Sequence, residues 1–193
     1  MELRALETKE LSIETHQDWL EIMGPQGGAA GCFCTFFRQT SREFEENKGD
    51  ENRRLARTWI EAGEMPGLIG YLDRKPVGWV QIGPRHRYSR LYRSPISRPL
   101  DNRDAWAVTC FVIAKSHRRQ GVGLALLRAA VDYAKQNGAT VLEGYPMEAR
   151  SNETPPIWAW MGFDTMFERC GFHEVERRSP TRPFMRLDLT RSD

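Results

Sequence analysis

The stretch from Phe111 to Leu127 constrains this chain more than any other. Phe111, Val112 and Ile113 end an apolar run, a basic turn through Arg118, Arg119, Gln120, Gly121, Val122 and Gly123 follows, and Leu124-Ala125-Leu126-Leu127 begins a helical pattern. A strand that turns sharply into a helix aims several main-chain N–H groups and the helix N-terminus at one spot, and that spot favours an anion. Two arginines and a glutamine stand where a diphosphate would sit. Gly121 and Gly123 carry no side chain to hold it off the backbone.

The flanking residues decide which anion turn this is. A nucleotide P-loop needs a lysine after its second glycine and a hydroxyl for Mg²⁺, and this turn has neither. A dinucleotide fingerprint needs a third glycine where this chain has Leu126. The run Arg118-Arg119-Gln120-Gly121-Val122-Gly123, entered from Phe111-x-Ile113, instead resembles the Gln/Arg-x-x-Gly-x-Gly/Ala signature of the GNAT superfamily of acyl-CoA-dependent N-acetyltransferases. Two further segments match that family in the right order. Residues 67–82 resemble its early hairpin, with Asp73 to Lys75 as the turn, and residues 162–172 resemble its fourth helix closing on Gly171-Phe172. The resemblance covers about residues 66–190.

The resemblance implies an α/β (α+β) GNAT acyl-CoA N-acyltransferase fold: a central mixed twisted sheet with a splayed parallel strand pair and flanking helices. It implies acetyl-CoA as cosubstrate and a primary amine on a small molecule or peptide as acceptor, attacked directly. The splayed strands are residues 105–113 and 140–145. Main-chain groups of Phe111, Val112 and Ile113 are then the partners of pantetheine, and Arg118, Arg119, Gln120, Gly121, Val122, Gly123 and Leu124 those of the diphosphate. For Leu124, core packing competes with that role.

One position departs from the family. Many members carry a tyrosine as general acid four residues before the Gly-Phe, and here Phe167 stands there. Tyr145, at the end of the second splayed strand, is the nearest substitute by topology. Glu143 alternates with Val141 and Tyr145 on one strand face and is the first candidate base, with Asp104 and Glu148 behind it. Cys110 is read as a small buried hydrophobe rather than a nucleophile. A non-catalytic acyl-CoA-binding or sensing module stays open as an alternative because of Phe167.

Bulk properties narrow the class. A chain of 193 residues, 40% hydrophobic, is expected to fold as one domain over residues 1–193, with residues 1–65 a helical acceptor-side part. No run approaches the roughly 20 apolar residues that cross a bilayer, and the first residues lack an apolar signal region, so a soluble cytoplasmic protein is expected, without membrane contact. The four cysteines form no C-x-x-C pair, and Cys32 and Cys34 lack the neighbours a zinc site needs; reduced thiols and no metal are expected. A net charge of +2 argues against a nucleic-acid binder. A homodimer is the commonest state for soluble enzymes and the default here.

Charge is nevertheless concentrated. Residues 84–104 hold six arginines against two aspartates, a local +4, together with three prolines and two tyrosines. The prolines forbid a long helix or a central strand. This insertion is expected to be a long loop or short helical turns, and to act as a lid whose arginines hold an acidic acceptor or dock an acidic protein partner. A solvated mobile loop is the alternative. Elsewhere, residues 11–15 are expected as the first strand, a helix face runs through Trp19, Leu20, Ile22 and Met23, and a helix with Asp50 as its N-cap ends near Gly63. The main helix spans residues 121–137 with Gly138 as C-cap, and residues 172–177 and 183–189 close the sheet as an antiparallel pair.

Overall fold

In the computed structural model, which describes residues 6–149 and 159–190, seven strands form one mixed sheet. They are β1 (Glu7–Glu10), β2 (Gly67–Leu72), β3 (Lys75–Pro84), β4 (Trp106–Ile113), β5 (Val141–Gly144), β6 (His173–Arg177) and β7 (Pro183–Asp188), in the spatial order β1-β2-β3-β4-β5-β7-β6. All neighbours are antiparallel except β4 and β5. The helices are α1 (His16–Met23), α2 (Ser41–Glu46), α3 (Asp50–Glu61), α4 (Ser89–Arg93), α5 (Val122–Gln136) and α6 (Asp164–Glu168).

Strand alternation sends side chains to two faces. On one face Val80, Ile82, Val108 and Phe111 pack under α5 through Leu126, Leu127 and Ala130, and under α6 through Phe167. On the other, Ile69, Trp79 and Cys110 pack against Trp19, Met23, Ala56 and Ile60 of α1 and α3. Beside this second core, Tyr88, Leu91 and Phe37 cover Ala107, Tyr145 and Phe184. A register shift against Gln81 and Ile82 leaves Thr109 unpaired in β4. Such a bulge re-aims the residues that follow, which is why Val108 and Phe111 share the α5 face while Cys110 joins the opposite core.

The expected elements form, with corrections at the first strand and at two helix caps; at the end of α5 the C-cap is Asn137, and Gly138, with φ of +77°, follows it. The first strand is Glu7–Glu10, not residues 11–15. All four of its side chains are exposed, so its place is fixed by main-chain pairing with β2 and not by an apolar face. Gly49, with φ of +86°, occupies the N-cap before α3, and Asp50 is the first helical residue, where its carboxylate still faces the positive helix end. Residues 84–104 contain a helical turn at Arg85–Arg87 and then α4, and they are not a loose insertion: Arg85, Tyr88, Leu91 and Ser97 are buried.

Candidate active site

The parallel strands β4 and β5 stay in register for only three pairs, Trp106 with Leu142, Ala107 with Glu143 and Val108 with Gly144. Beyond Val108, β4 continues for five residues while β5 has ended, so the strands part. Phe167 helps set this opening. Its ring is fully buried, edge-on to Phe111 and Phe172, and lies on Gly144, where a Cβ would come within 2.1 Å of it. Only glycine admits the ring at that point.

At the far end of β4 the chain makes its basic turn into α5. Arg119 has φ of +58° and Gly121, the N-cap, +86°. Left-handed residues in such a turn bring successive N–H groups to one side, the geometry of an anion nest. The first α5 hydrogen bond runs from Ala125 N–H to Gly121 O at 3.0 Å, and no side chain caps the helix, so the earlier N–H groups point outward. Two turn side chains are spent on the turn itself: Arg118 Nε donates to Ile113 O at 3.1 Å and Gln120 Nε2 to Ser116 O at 2.7 Å. Arg119 is exposed and makes no ion pair among the described residues. Val122 is buried in the core. Gly123 faces α6, where a Cβ would meet Met166 Sδ at 3.2 Å, so its small size also serves packing between helices. The turn and the helix end thus fit a diphosphate by geometry.

The opening between the strands is lined by the chain itself. Phe111 N–H, on the edge of β4 that faces it, donates to Trp160 O at 2.7 Å. The Trp160 ring in turn packs on Phe36 and Phe37 at 5.4 and 5.3 Å between centroids. Val112 turns towards the α1 side and Ile113 towards α5.

Glu143 and Tyr145 lie together, but not as a free base and acid. Glu143 is fully buried and accepts from Arg85 Nη1 at 3.0 and 3.1 Å, from Arg186 Nη2 at 2.7 Å and from the Tyr145 hydroxyl at 3.0 Å. Arg186 also holds Asp101, at 2.7 Å. Burial is the largest single influence on Arg85 and works against its charge, but Glu143 and Tyr92 together hold the guanidinium above its ordinary range. Tyr145 is pushed well up, first by burial and then by Glu143. Two arginines and two carboxylates balance here, so one of the six arginines of residues 84–104 is consumed in a buried ion pair. Another, Arg103, pairs with Asp188 at 3.2 Å. Asp104 is exposed just before β4, and Glu148 pairs with Arg177 at 3.4 Å.

Cys110 and Cys34 are buried with their sulfurs 3.6 Å apart. Cys32 is pushed up to about 12, by burial first and then by Cys34. Among the described residues no group of three or more His, Cys, Asp or Glu side chains is placed to hold a metal, and no helix is long and apolar enough to cross a membrane.

Sequence reasoning placed the turn and the strands but did not single out Arg85, Arg186 or Trp160. Arg85 was one charge among six, and its partner lies 58 residues away. Nothing in the local pattern around Trp160 announces that it bridges back to β4.

Comparison with known proteins agrees with this geometry. A sequence profile described as the acetyltransferase (GNAT) family matches residues 34–151. No curated protein matches the chain. Among solved structures, an N-acetyltransferase from Staphylococcus aureus Mu50 is similar with a TM-score of 0.55 at 16% identity, covering 97% of this chain and 100% of its own. The Salmonella typhimurium protein yncA, solved with its cofactor acetyl-CoA, gives 0.56 at 17%, covering 98% and 96%. The paia N-acetyltransferase from Thermoplasma acidophilum, in complex with coenzyme A, gives 0.53 at 13%, covering 96% and 99%. At these identities the likeness is one of fold.

Proposed function

Because the chain belongs to the acetyltransferase (GNAT) family, whose chemistry is acyl transfer from acyl-CoA, we propose that it moves the acetyl group of acetyl-CoA to a primary amine by direct attack. The observation that carries this reading is the splayed pair β4 and β5, with an open helix N-terminus and a left-handed turn at the end of β4. The outward N–H groups before Ala125 receive the diphosphate, with Arg119 adding a charge-assisted contact. The edge of β4 at Phe111 and Ile113 that faces the opening receives the pantetheine arm, which requires Phe111 N–H to exchange its Trp160 partner for the ligand. When bound, acetyl-CoA supplies the activated thioester.

The Arg85–Glu143–Arg186 cluster positions the floor of the opening rather than exchanging protons. Glu143 is saturated by three donors, and the hydroxyl of Tyr145 is given to it. The acetyl group passes from sulfur to nitrogen, the amine loses its proton to solvent, and CoA departs as the thiol or thiolate. Cys110 is buried against Cys34 and does not face the end of β4 as a nucleophile. The reading takes residues 1–193 as one cytoplasmic domain.

The test is to incubate the full chain with acetyl-CoA and a broad panel of primary amines and to follow CoA and N-acetylated product chromatographically. Equal amounts of the two are expected for at least one amine class. Saturable acetyl-CoA binding with no CoA release from any amine would favour the binding-module alternative.

A further inference from the structure

A cleft of about 520 Å³ lies between α4 and the segment that leads into α2. Phe36 and Phe37 form its apolar side, and Arg90, Arg93, Ser41 and Ser94 its polar side, with no carboxylate among the lining residues. Its polar groups are arranged as donors. Arg90 lies with its guanidinium carbon 3.9 Å from the centre of the Phe36 ring, gives Nε to Gln39 O at 3.2 Å and gives Nη1 to Ser41 Oγ at 3.3 Å. Its Nη2 is buried and has no hydrogen-bond partner among the described residues.

The two serines are committed as acceptors. Ser41 Oγ takes the Arg90 bond, and Ser94 Oγ takes the N–H groups of Ile96 and Ser97, both at 3.2 Å. Each hydroxyl therefore keeps its proton to give elsewhere. Burial, and then the neighbouring Arg93, lower the Arg90 pKa, and the opposing influences of Cys32 and Glu45 do not make up the difference. Glu43, whose carboxylate caps α2 through Thr40 N–H at 2.7 Å, is likewise outside the lining. A desolvated Nη2 beside a second guanidinium, with no acceptor among the described residues, is a position that an oxyanion would satisfy.

Position then connects the cleft to the opening between β4 and β5. Phe36 and Phe37 pack directly on Trp160, whose carbonyl holds Phe111 N–H. This places the cleft on the face of the sheet opposite α5, one aromatic layer from the opening.

We propose that Arg90 and Arg93, with the Ser41 and Ser94 hydroxyls, form an oxyanion site that holds a carboxylate or phosphate group of the acyl acceptor; this rests on the acyl-transfer reading given above. The acceptor is thus an amine that also bears an oxyanion, with its apolar part against Phe36 and Phe37. With Nε and Nη1 engaged, Arg90 offers Nη2 to one oxygen of either oxyanion, and the neighbouring Arg93 guanidinium, which is exposed, meets another.

The experiment has a binding arm and a kinetic arm, both on the full chain. In the first, inorganic phosphate and, separately, acetate are titrated at constant ionic strength while the ¹⁵N resonance of Arg90 Nε is followed, with chloride as control. Saturable binding of one oxyanion is expected in the wild type, weakened about tenfold or more in Arg93→Gln, as the loss of a charge-assisted contact implies. Which anion binds tighter identifies the source chemistry. Arg90→Gln should abolish binding, and the exposed Arg93 variant keeps the test valid if that protein does not fold. No saturable binding of either anion, with acetyl-CoA still bound, overturns the site and leaves the transferase reading standing.

In the second arm, KM is compared for an amino acid and for its decarboxylated amine. Arg93→Gln should raise KM for the first by about tenfold and leave KM for the second and for acetyl-CoA unchanged. An equal rise for both amines overturns the proposal. Oxyanion binding without any acetyl-CoA binding would instead count against the transferase reading, and with it against the assignment of the anion to an acceptor.

Discussion

Phe111 and Trp160 are joined by a 2.7 Å hydrogen bond from main-chain N–H to main-chain carbonyl, at the point where β4 leaves β5. A strand edge between parting strands would otherwise expose its N–H groups, and an unpaired buried donor is costly. The chain satisfies this one itself. A ligand that runs along β4 must compete with that bond.

Replacing Trp160 by alanine removes its ring from Phe36 and Phe37 while keeping the carbonyl. Each aromatic contact is worth roughly 0.5–1.5 kcal/mol, so with two lost the segment should release Phe111 more readily and acetyl-CoA affinity should rise by about fivefold, and by at most about a hundredfold. Calorimetry on the variant checks this. A fall in affinity would mean that the indole contacts the ligand instead of competing with it.

The buried Arg85–Glu143–Arg186 cluster should dominate the stability of this end of the sheet. Glu143→Gln leaves two guanidiniums without their shared carboxylate and is expected to cost about 3–5 kcal/mol, measured by urea unfolding. Tyr145→Phe removes one hydrogen bond to that carboxylate and should cost less, on the order of 1–3 kcal/mol, with acetyl-CoA affinity and turnover retained. A fall in turnover of about a hundredfold or more at retained stability would make Tyr145 the acid after all.

Two aspartates give a pH dependence with a definite sign. Asp101 is held below its ordinary value by Arg186, and Asp188 is lowered to about 2 by Thr190, helped by Arg103. Both pKa values are depressed in the folded state. Their contribution is therefore complete above the unfolded value of roughly 3.9 and is lost as pH falls through the depressed folded values, which for Asp188 is about 2. The urea midpoint should drop over that window, and Asp101→Asn should flatten the drop. An identical profile for the variant would remove Asp101 from the account.

Much of this was legible in the sequence, for reasons that can be named. The unit β4, α5, β5 follows from period and glycine placement, because it buries a face that the pattern displays, whereas the hairpin of β2 and β3 is legible through the family resemblance. The β1 strand was misplaced because Glu7–Glu10 has no apolar face to display. The turn residues were found because main-chain geometry there demands glycine at position 121. The partners of Glu143 were not, since an ion pair between distant residues leaves no local periodicity. Arg90 and Arg85 read alike in a run of arginines. Only packing separates the one that is neutralised by Glu143 from the one whose Nη2 has no partner among the described residues.

The thiols offer a test of the packing behind the site. With Cys32 pushed up to about 12 and Cys34 raised well above its ordinary value by Cys110 and burial, almost no thiolate is present near neutral pH. Alkylation of these two in the native protein should be slow and should become fast on unfolding, as followed by mass spectrometry. Rapid native labelling of Cys34 would show that the α1 face is open where the structure has it packed.

The central claim is that the turn at the end of β4 holds the diphosphate of acetyl-CoA through main-chain N–H groups. Calorimetric titration of acetyl-CoA into wild type and Gly121→Val tests it most directly, because valine disfavours the left-handed φ of +86° that Gly121 adopts. The expected result is micromolar-class binding in the wild type and a loss of about a hundredfold or more in the variant, with circular dichroism and thermal melting showing a folded protein. Unchanged affinity in a folded Gly121→Val protein would contradict the account.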